Sequence, residues 1–173
     1  MIHSEQTLQQ LIQMLPQQGT VEWIGLRSRK KQPMQVVDHV IAIKDKGLEG
    51  DHYNGSSGNR SVSLIQAEHL PAIASMLHLP EIRPEQLRRN IVVRGINLLA
   101  LKNRHFRLGD AELEMTGQCH PCSRMEETFG AGGYNAVRGH GGINARVLVP
   151  GKIKLGDAVA AIEIGRDHVR HGR

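Results

Sequence analysis

Apolar positions along this chain change their period every few residues, and the changes mark its elements. Over residues 4–18, Leu8, Leu11, Ile12 and Leu15 recur at helical spacing. Ser4 or Thr7 can cap the start, and Pro16 and Gly19 mark the end. Residues 20–26 alternate as a strand. Residues 35–43 are β-branched (Val36, Val37, Val40, Ile41, Ile43) and predict one or two strands. A polar, glycine-rich loop follows over 47–59, a length usually kept for function or left disordered. Residues 60–65 predict a strand. Residues 67–77 predict a helix through Leu70, Ile73, Ala74 and Leu77, with Pro71 in its first turn. A short helix start at 84–88 leads into a strand at 90–93. The segment 98–101 is apolar and 106–110 predicts a turn. Strands are expected at 111–116, 145–149, 152–155 and 158–164, punctuated by Pro150-Gly151 and Gly156-Asp157.

Many short strands with close turn signals, and two or three helices, predict a mainly β protein: a β-barrel with helical decoration. Helix and strand alternate too irregularly for a doubly wound α/β fold. At 173 residues the chain suits one domain, and no Pro/Gly/Ser linker divides it. The expected organisation is an appended helix over 1–18, one barrel domain over 19–164 and a basic tail over 165–173. Aromatic residues make up only 3%, so the core must come from Val, Ile, Leu, Met and Ala.

The net charge of +5 favours anionic partners. Its main blocks, Arg27-Ser28-Arg29-Lys30-Lys31 and the tail from Arg166 to Arg173, read as a solvated loop and a frayed end. Aromatics do not interleave the basic residues, so no nucleic-acid stacking platform is expected. No apolar run approaches membrane-spanning length and no leader pattern opens the chain, so no membrane association is expected. Two cysteines make no disulfide framework, and a cytoplasmic, reducing compartment is the expectation.

Those cysteines stand together in Thr116-Gly117-Gln118-Cys119-His120-Pro121-Cys122-Ser123-Arg124-Met125-Glu126. A thiolate is both a nucleophile and a soft metal ligand. The spacing alone admits a redox pair, three ligands of a zinc site, or two half-buried thiols. Arg88-Arg89-Asn90 before a strand can grip a phosphate or close a helix end. Gly139-His140-Gly141-Gly142 can offer backbone N–H groups to an anion, and Asp51-His52 has the composition of an acid–base pair. No phosphate-binding Gly-Lys-Ser/Thr loop and no dinucleotide fingerprint is present.

The order of these pieces is itself a signal. Gly47-Leu-Glu-Gly-Asp51-His52 precedes Arg60-Ser-Val-Ser-Leu-Ile65. Arg88-Arg89-Asn90-Ile-Val-Val93 precedes Gly95-Ile-Asn-Leu-Leu99 and Phe106-Arg-Leu-Gly109-Asp110. Leu113-Glu-Met-Thr116-Gly-Gln-Cys119-His-Pro-Cys122 follows, then Gly139-His-Gly-Gly142, Ala145-Arg-Val-Leu148 and Gly156-Asp157. The series resembles a stand-alone bacterial-type MOSC domain, the module named for the C-terminus of molybdenum cofactor sulfurases. The resemblance implies a closed, mostly antiparallel β-barrel with two to three peripheral helices. It implies the molybdenum cofactor (molybdopterin), with Cys122 as metal ligand, since the amidoxime-reducing relatives use the second cysteine of a Cys-x-x-Cys. Their Arg-x-Asn before a strand maps onto Arg88 and Asn90 as cofactor contacts, and Arg60, Asp51, His52, Thr116 and Cys119 complete the implied cofactor site. Those relatives carry an Asp-Pro shortly after the cysteine, where this chain has Met125-Glu126-Glu127-Thr128-Phe129. The implied reaction is two-electron reduction of a small N-hydroxylated compound to the amine or amidine. An electron-donor protein would supply the electrons, and His120 or Glu126 the protons. Two other functions suit the same residues: a sulfur carrier holding a Cys122 persulfide, and a non-catalytic module binding an anionic metabolite.

Overall fold

Strand alternation closes this chain on itself. In chain order the elements are α1 (Leu8–Gln13), β1 (Gly19–Leu26), β2 (Gln35–Val37), β3 (His39–Ile43), β4 (Gly47–Leu48), β5 (Val62–Gln66), α2 (His69–Met76), α3 (Pro84–Leu87), β6 (Ile91–Arg94), a 3-10 turn (Leu98–Leu101), β7 (His105–Leu108), β8 (Ala111–Gln118), α4 (Ser123–Phe129), α5 (Gly133–Val137), β9 (Ile143–Val149), β10 (Gly151–Lys154) and β11 (Ala158–Ala161). The computed structural model describes residues 6–53 and 55–162. Alternate residues of β8 (Ala111, Leu113, Met115) and β9 (Ile143, Ala145, Val147) are buried, as period-2 patterning requires of strands with one face on a core.

Seven strands form the barrel, in the order β1-β6-β5-β9-β8-β7-β11. Pairing of Gly19 with Val159 and of Thr20 with Ala158 joins β11 back to β1 and removes the open edges. All of these neighbours are antiparallel except β5 and β6, which run parallel through Leu64–Ile91 and Gln66–Val93. One parallel pair in an otherwise antiparallel barrel agrees with the mostly antiparallel expectation. Its cause is the crossover between the two strands, where α2 and α3 supply the length a parallel connection needs. Because those helices cover the outside, β5 and β6 are buried on both faces. Leu64, Ile91 and Val93 belong to the barrel core, while Ile65 and Val92 pack outward among Ile73, Leu87, Met125 and Val137. A second sheet, ordered β10-β3-β4, adds Val40, Ala42, Leu48 and Ile153 to the barrel core.

Three expectations change. Residues 106–110 were expected to turn, but β7 occupies His105–Leu108 with Phe106 and Leu108 fully buried, and only Gly109-Asp110 turns. Two to three helices were expected. About five short ones form, because the cysteine loop and the glycine-rich run hide α4 and α5. The helix expected over 4–18 shortens to Leu8–Gln13, with Thr7 and Gln10 in a reciprocal capping box. It buries none of its own residues, and Leu15 beyond it packs against the barrel. Ser4, the last residues of the strand expected over 158–164, and the basic tail lie outside the described residues. No described helix is long and apolar enough to cross a membrane.

Candidate functional site

The end of the parallel pair builds the site. α3 stops at Arg88, a non-glycine residue in the left-handed region (φ 59°, ψ 34°). Such a conformation is uncommon and tends to mark functional turns. It turns the chain sharply, so Arg89 and Asn90 enter the interior before β6 begins. Asn90 is buried and fastened to the barrel. Its Oδ1 accepts from the Ser63 N–H (3.1 Å) and hydroxyl (2.9 Å), and its Nδ2 donates to the Gly25 carbonyl (3.3 Å). One amide thereby ties β1, β5 and β6 together where they meet.

Arg89 is only 7% exposed, yet no carboxylate pairs with it among the described residues. Its guanidinium donates to three main-chain carbonyls: Gly141 (2.7 Å), Leu87 (2.7 Å) and Cys119 (3.4 Å). Arg89 therefore joins α3, the glycine-rich turn and the cysteine loop. The Cys119 N–H also donates to the Gly142 carbonyl (2.9 Å). Gly141 and Gly142 thus face the site with carbonyls, whereas the sequence suggested N–H groups aimed at an anion.

Cys119 is half-buried and Cys122 exposed. Cys122 is the last extended residue before α4, and its carbonyl accepts from the Met125 N–H (2.9 Å). Buried Met125 fixes the helix to the outer apolar cluster. The Cys-x-x-Cys thus opens a helix directly after a strand, as redox pairs do. However, β8 and β9 run antiparallel, so no βαβ unit surrounds it. Among the described residues no three His, Cys, Asp or Glu side chains gather as metal ligands, so the zinc reading of Cys119, His120 and Cys122 finds no support.

Two adjoining clefts meet here. The inner one, about 240 Å³, takes in Asp51, Tyr53, Arg60, Ser63, Asn90 and Cys119. The outer one, about 460 Å³, takes in Lys30, Cys122, Arg124 and Met125. Arg27, His52, Arg88 and Arg89 line both. The loop from Gly47 reaches the site because the Arg27 N–H donates to Asp51 Oδ1 (2.7 Å) and the His52 N–H donates to the Arg27 carbonyl (2.6 Å). Asp51 and His52 therefore both hold Arg27 rather than each other. Among the described residues Asp51 supplies the one carboxylate of the lining, against Arg27, Lys30, Arg60, Arg88, Arg89 and Arg124. Partial burial, then the like charges of Arg27 and Arg124, push the Arg88 guanidinium below its ordinary pKa. Arg27 Nε is buried without a hydrogen-bond partner among the described residues.

The structure thus brings together Cys122, Cys119, Arg88, Asn90, Arg60, Asp51 and His52 and leaves three other residues outside. His120 and Thr116 line a separate recess with Leu99 and Lys102. The Thr116 hydroxyl donates to the Asn59 carbonyl and pins the end of the long loop. Glu126 accepts from the Gly132 and Tyr134 N–H groups (both 2.8 Å), joining α4 to the start of α5. These two N–H groups lower the Glu126 pKa. Its stabilising contribution is therefore complete above the unfolded value of about 4.3 and is lost as pH falls through the folded value. The melting temperature of Glu126→Gln should lie below that of the wild type at pH 7, and the gap should close below about pH 4. A gap independent of pH would disprove the capping role. Arg89 was read from the sequence only as part of Arg88-Arg89-Asn90, and Arg27, Lys30 and Arg124 were not singled out as site residues. The block at 27–31 carried the signal, but it read as a solvated loop.

Comparison with known proteins gives the same fold. The YUAD protein from Bacillus subtilis aligns with a TM-score of 0.73 at 21% identity, over 87% of this chain and 100% of its own. YiiM from Geobacillus stearothermophilus aligns at 0.68 and 15% identity, over 86% of this chain and 77% of its own. YiiM from Escherichia coli aligns at 0.64 and 18% identity, over 83% and 70%. No curated protein matches. The family model described as MOSC domain matches residues 45–160, from β4 into β11 and through every strand that carries the two clefts except β1. The chain belongs to the MOSC domain family.

Proposed function

We propose that this protein holds the molybdenum cofactor in the paired clefts, with Cys122 as its metal ligand, and reduces small N-hydroxylated compounds. The observation that carries this reading is an exposed thiol beside a buried guanidinium that has no carboxylate partner. A buried charge is stable only when paired or richly hydrogen-bonded. Carbonyls satisfy Arg89 N–H groups but leave its charge without a carboxylate partner among the described residues, and Asp51 and Glu127 offset only part of the charge of Arg27 and Arg88. A cofactor phosphate meets that need through charge-assisted hydrogen bonds, and the orphaned Arg27 Nε offers one donor. With no metal-ligand cluster among the described residues, Cys122 fits a metal that brings most of its own ligands.

The cofactor, when bound, supplies the two-electron redox change. The chain's residues do the rest. Arg60, Arg27 and Arg88 hold the phosphate in the inner cleft. Arg89 sets the position of the cysteine loop through its bonds to Cys119 and Gly141. His52, which faces both clefts, delivers protons. His120 and Glu126 lie outside the clefts, and the Glu126 carboxylate is occupied by two amides. Two electrons and two protons convert the N–O bond to N–H and water. An electron-donor protein supplies the electrons.

The test is metal and pterin content after expression in a cofactor-competent host, with reduction of a hydroxylamine or amidoxime by an artificial donor. Arg88→Ala should weaken cofactor retention by about 1.5–3 kcal/mol, the range for a hydrogen bond to a charged group, which equilibrium dialysis can measure. Unchanged retention would remove Arg88 from the site. The exposure of Cys122 also suits a sulfur carrier. Cyanide-releasable sulfur without molybdenum would decide for that reading.

A further inference from the structure

The cations of the two clefts are distributed unevenly. Arg60 lines only the inner cleft, whereas Lys30 and Arg124 line only the outer one, on the side of Cys122. Among the described residues the outer lining contains no carboxylate. A phosphate monoester carries about −1.5 to −2 at pH 7. One such group in the inner cleft balances Arg60 and part of the shared Arg27, Arg88 and Arg89. It leaves Lys30 and Arg124 without a carboxylate among the described residues of the outer lining, and Arg124 disfavours protonated Arg88 while Glu127 only partly offsets it. Like charges held this close favour whatever neutralises them. Lys30 rides on the loop after β1, and Arg124 sits in the first turn of α4, two residues after Cys122. Both elements border the outer cleft that Cys122 lines.

Resting on the reductase reading above, we propose that Lys30 and Arg124 bind a phosphate group of the substrate. The site then selects N-hydroxylated compounds that carry a phosphate over neutral ones. Arg124 can grip two phosphate oxygens with its planar fork, while Lys30 acts as a mobile point charge from the loop after β1. Both side chains meet water at the mouth, so their contribution falls with salt. Among the described residues the Lys30 and Arg124 side chains have no ion-pair partner, so their substitution should leave the fold intact.

The experiment compares an N-hydroxylated nucleoside with its 5′-monophosphate, using the cofactor-loaded protein and an artificial donor. The phosphorylated compound should show kcat/KM higher by about tenfold, the equivalent of roughly 1.4 kcal/mol. In the double variant Lys30→Gln, Arg124→Gln that preference should vanish through KM, with kcat and the neutral substrate unaffected. A second arm measures inorganic phosphate binding to the same loaded proteins by calorimetry, and the double variant should lose it. A preference ratio near one, or one that survives the double variant, overturns the proposal. So does release of a nucleotide from the bound cofactor on acid treatment, because a second cofactor phosphate would then claim these cations. If neither compound is reduced, the reductase reading falls alone. The calorimetric arm then decides the anion site: loss of phosphate binding in the double variant upholds it, and unchanged binding overturns it.

Discussion

Cys122→Ser should abolish reduction of N-hydroxylated compounds and strip molybdenum from the protein, whereas Cys119→Ser should keep most of the metal. A serine hydroxyl is far less acidic than a thiol and does not replace a soft thiolate on the metal. Cys122 is exposed at the outer cleft and its side chain caps nothing, so the fold does not depend on its sulfur. Cys119 differs. What fixes it is its backbone, whose N–H bonds Gly142 and whose carbonyl accepts from Arg89, and serine keeps both bonds. Its substitution should cost about tenfold in activity, the lower end of what neighbours of a metal ligand contribute. Equal metal loading in wild type and Cys122→Ser would refute the ligand assignment. Activity surviving in Cys122→Ser would refute the enzyme reading and favour a module that binds an anion without chemistry.

Gly142→Ala should destabilise the fold by more than about 4 kcal/mol, a size reserved for severe disruptions. A Cβ at Gly142 would lie 1.9 Å from the Leu64 carbonyl oxygen and 2.9 Å from the Ile65 Cα, both main-chain atoms of β5. The residue also sits at φ +83°. Gly139 separates the two effects. Its φ is +84°, yet a Cβ there meets nothing within 4 Å. Gly139→Ala should therefore report the backbone cost alone, about 1–2 kcal/mol. Urea unfolding of both variants measures the difference. Similar values for the two would show that the turn moves off β5 freely, and would weaken the account of how the cysteine loop is held. Gly141→Ala should act on the site more than on the core, because its Cβ would meet the Cys119 carbonyl (2.2 Å) and crowd Arg89 (3.1 Å).

Much of the fold was legible in the sequence. Alternation at Ala111–Met115 and Ala145–Val147 named barrel strands, because a half-buried strand must show its two faces every second residue. The ordered motifs named the family, and Cys122, Arg88, Asn90, Arg60, Asp51 and His52 do share one end of the barrel. The helices α4 and α5 were hidden. Each is at most seven residues long and held by tertiary contacts such as Met125, Val137 and the Glu126 cap, none of which leaves a period long enough to read.

By itself the sequence determined the strand faces, the aliphatic core and the set of chemical groups at hand, since periodicity and composition are local properties. Only the tertiary structure decided how those groups are used. The parallel pairing of β5 with β6 follows from where α2 and α3 pack, and it carries Arg88, Arg89 and Asn90 to the cysteine loop. The same packing buries Arg89 without a carboxylate and turns Arg27 and Lys30 from a solvated block into cleft walls. It also removes His120, Thr116 and Glu126 from the cleft, although they are neighbours of Cys122 in the chain. Charge and hydrogen bonding act through space, so which cation meets which thiol is settled by contacts between residues far apart in the sequence.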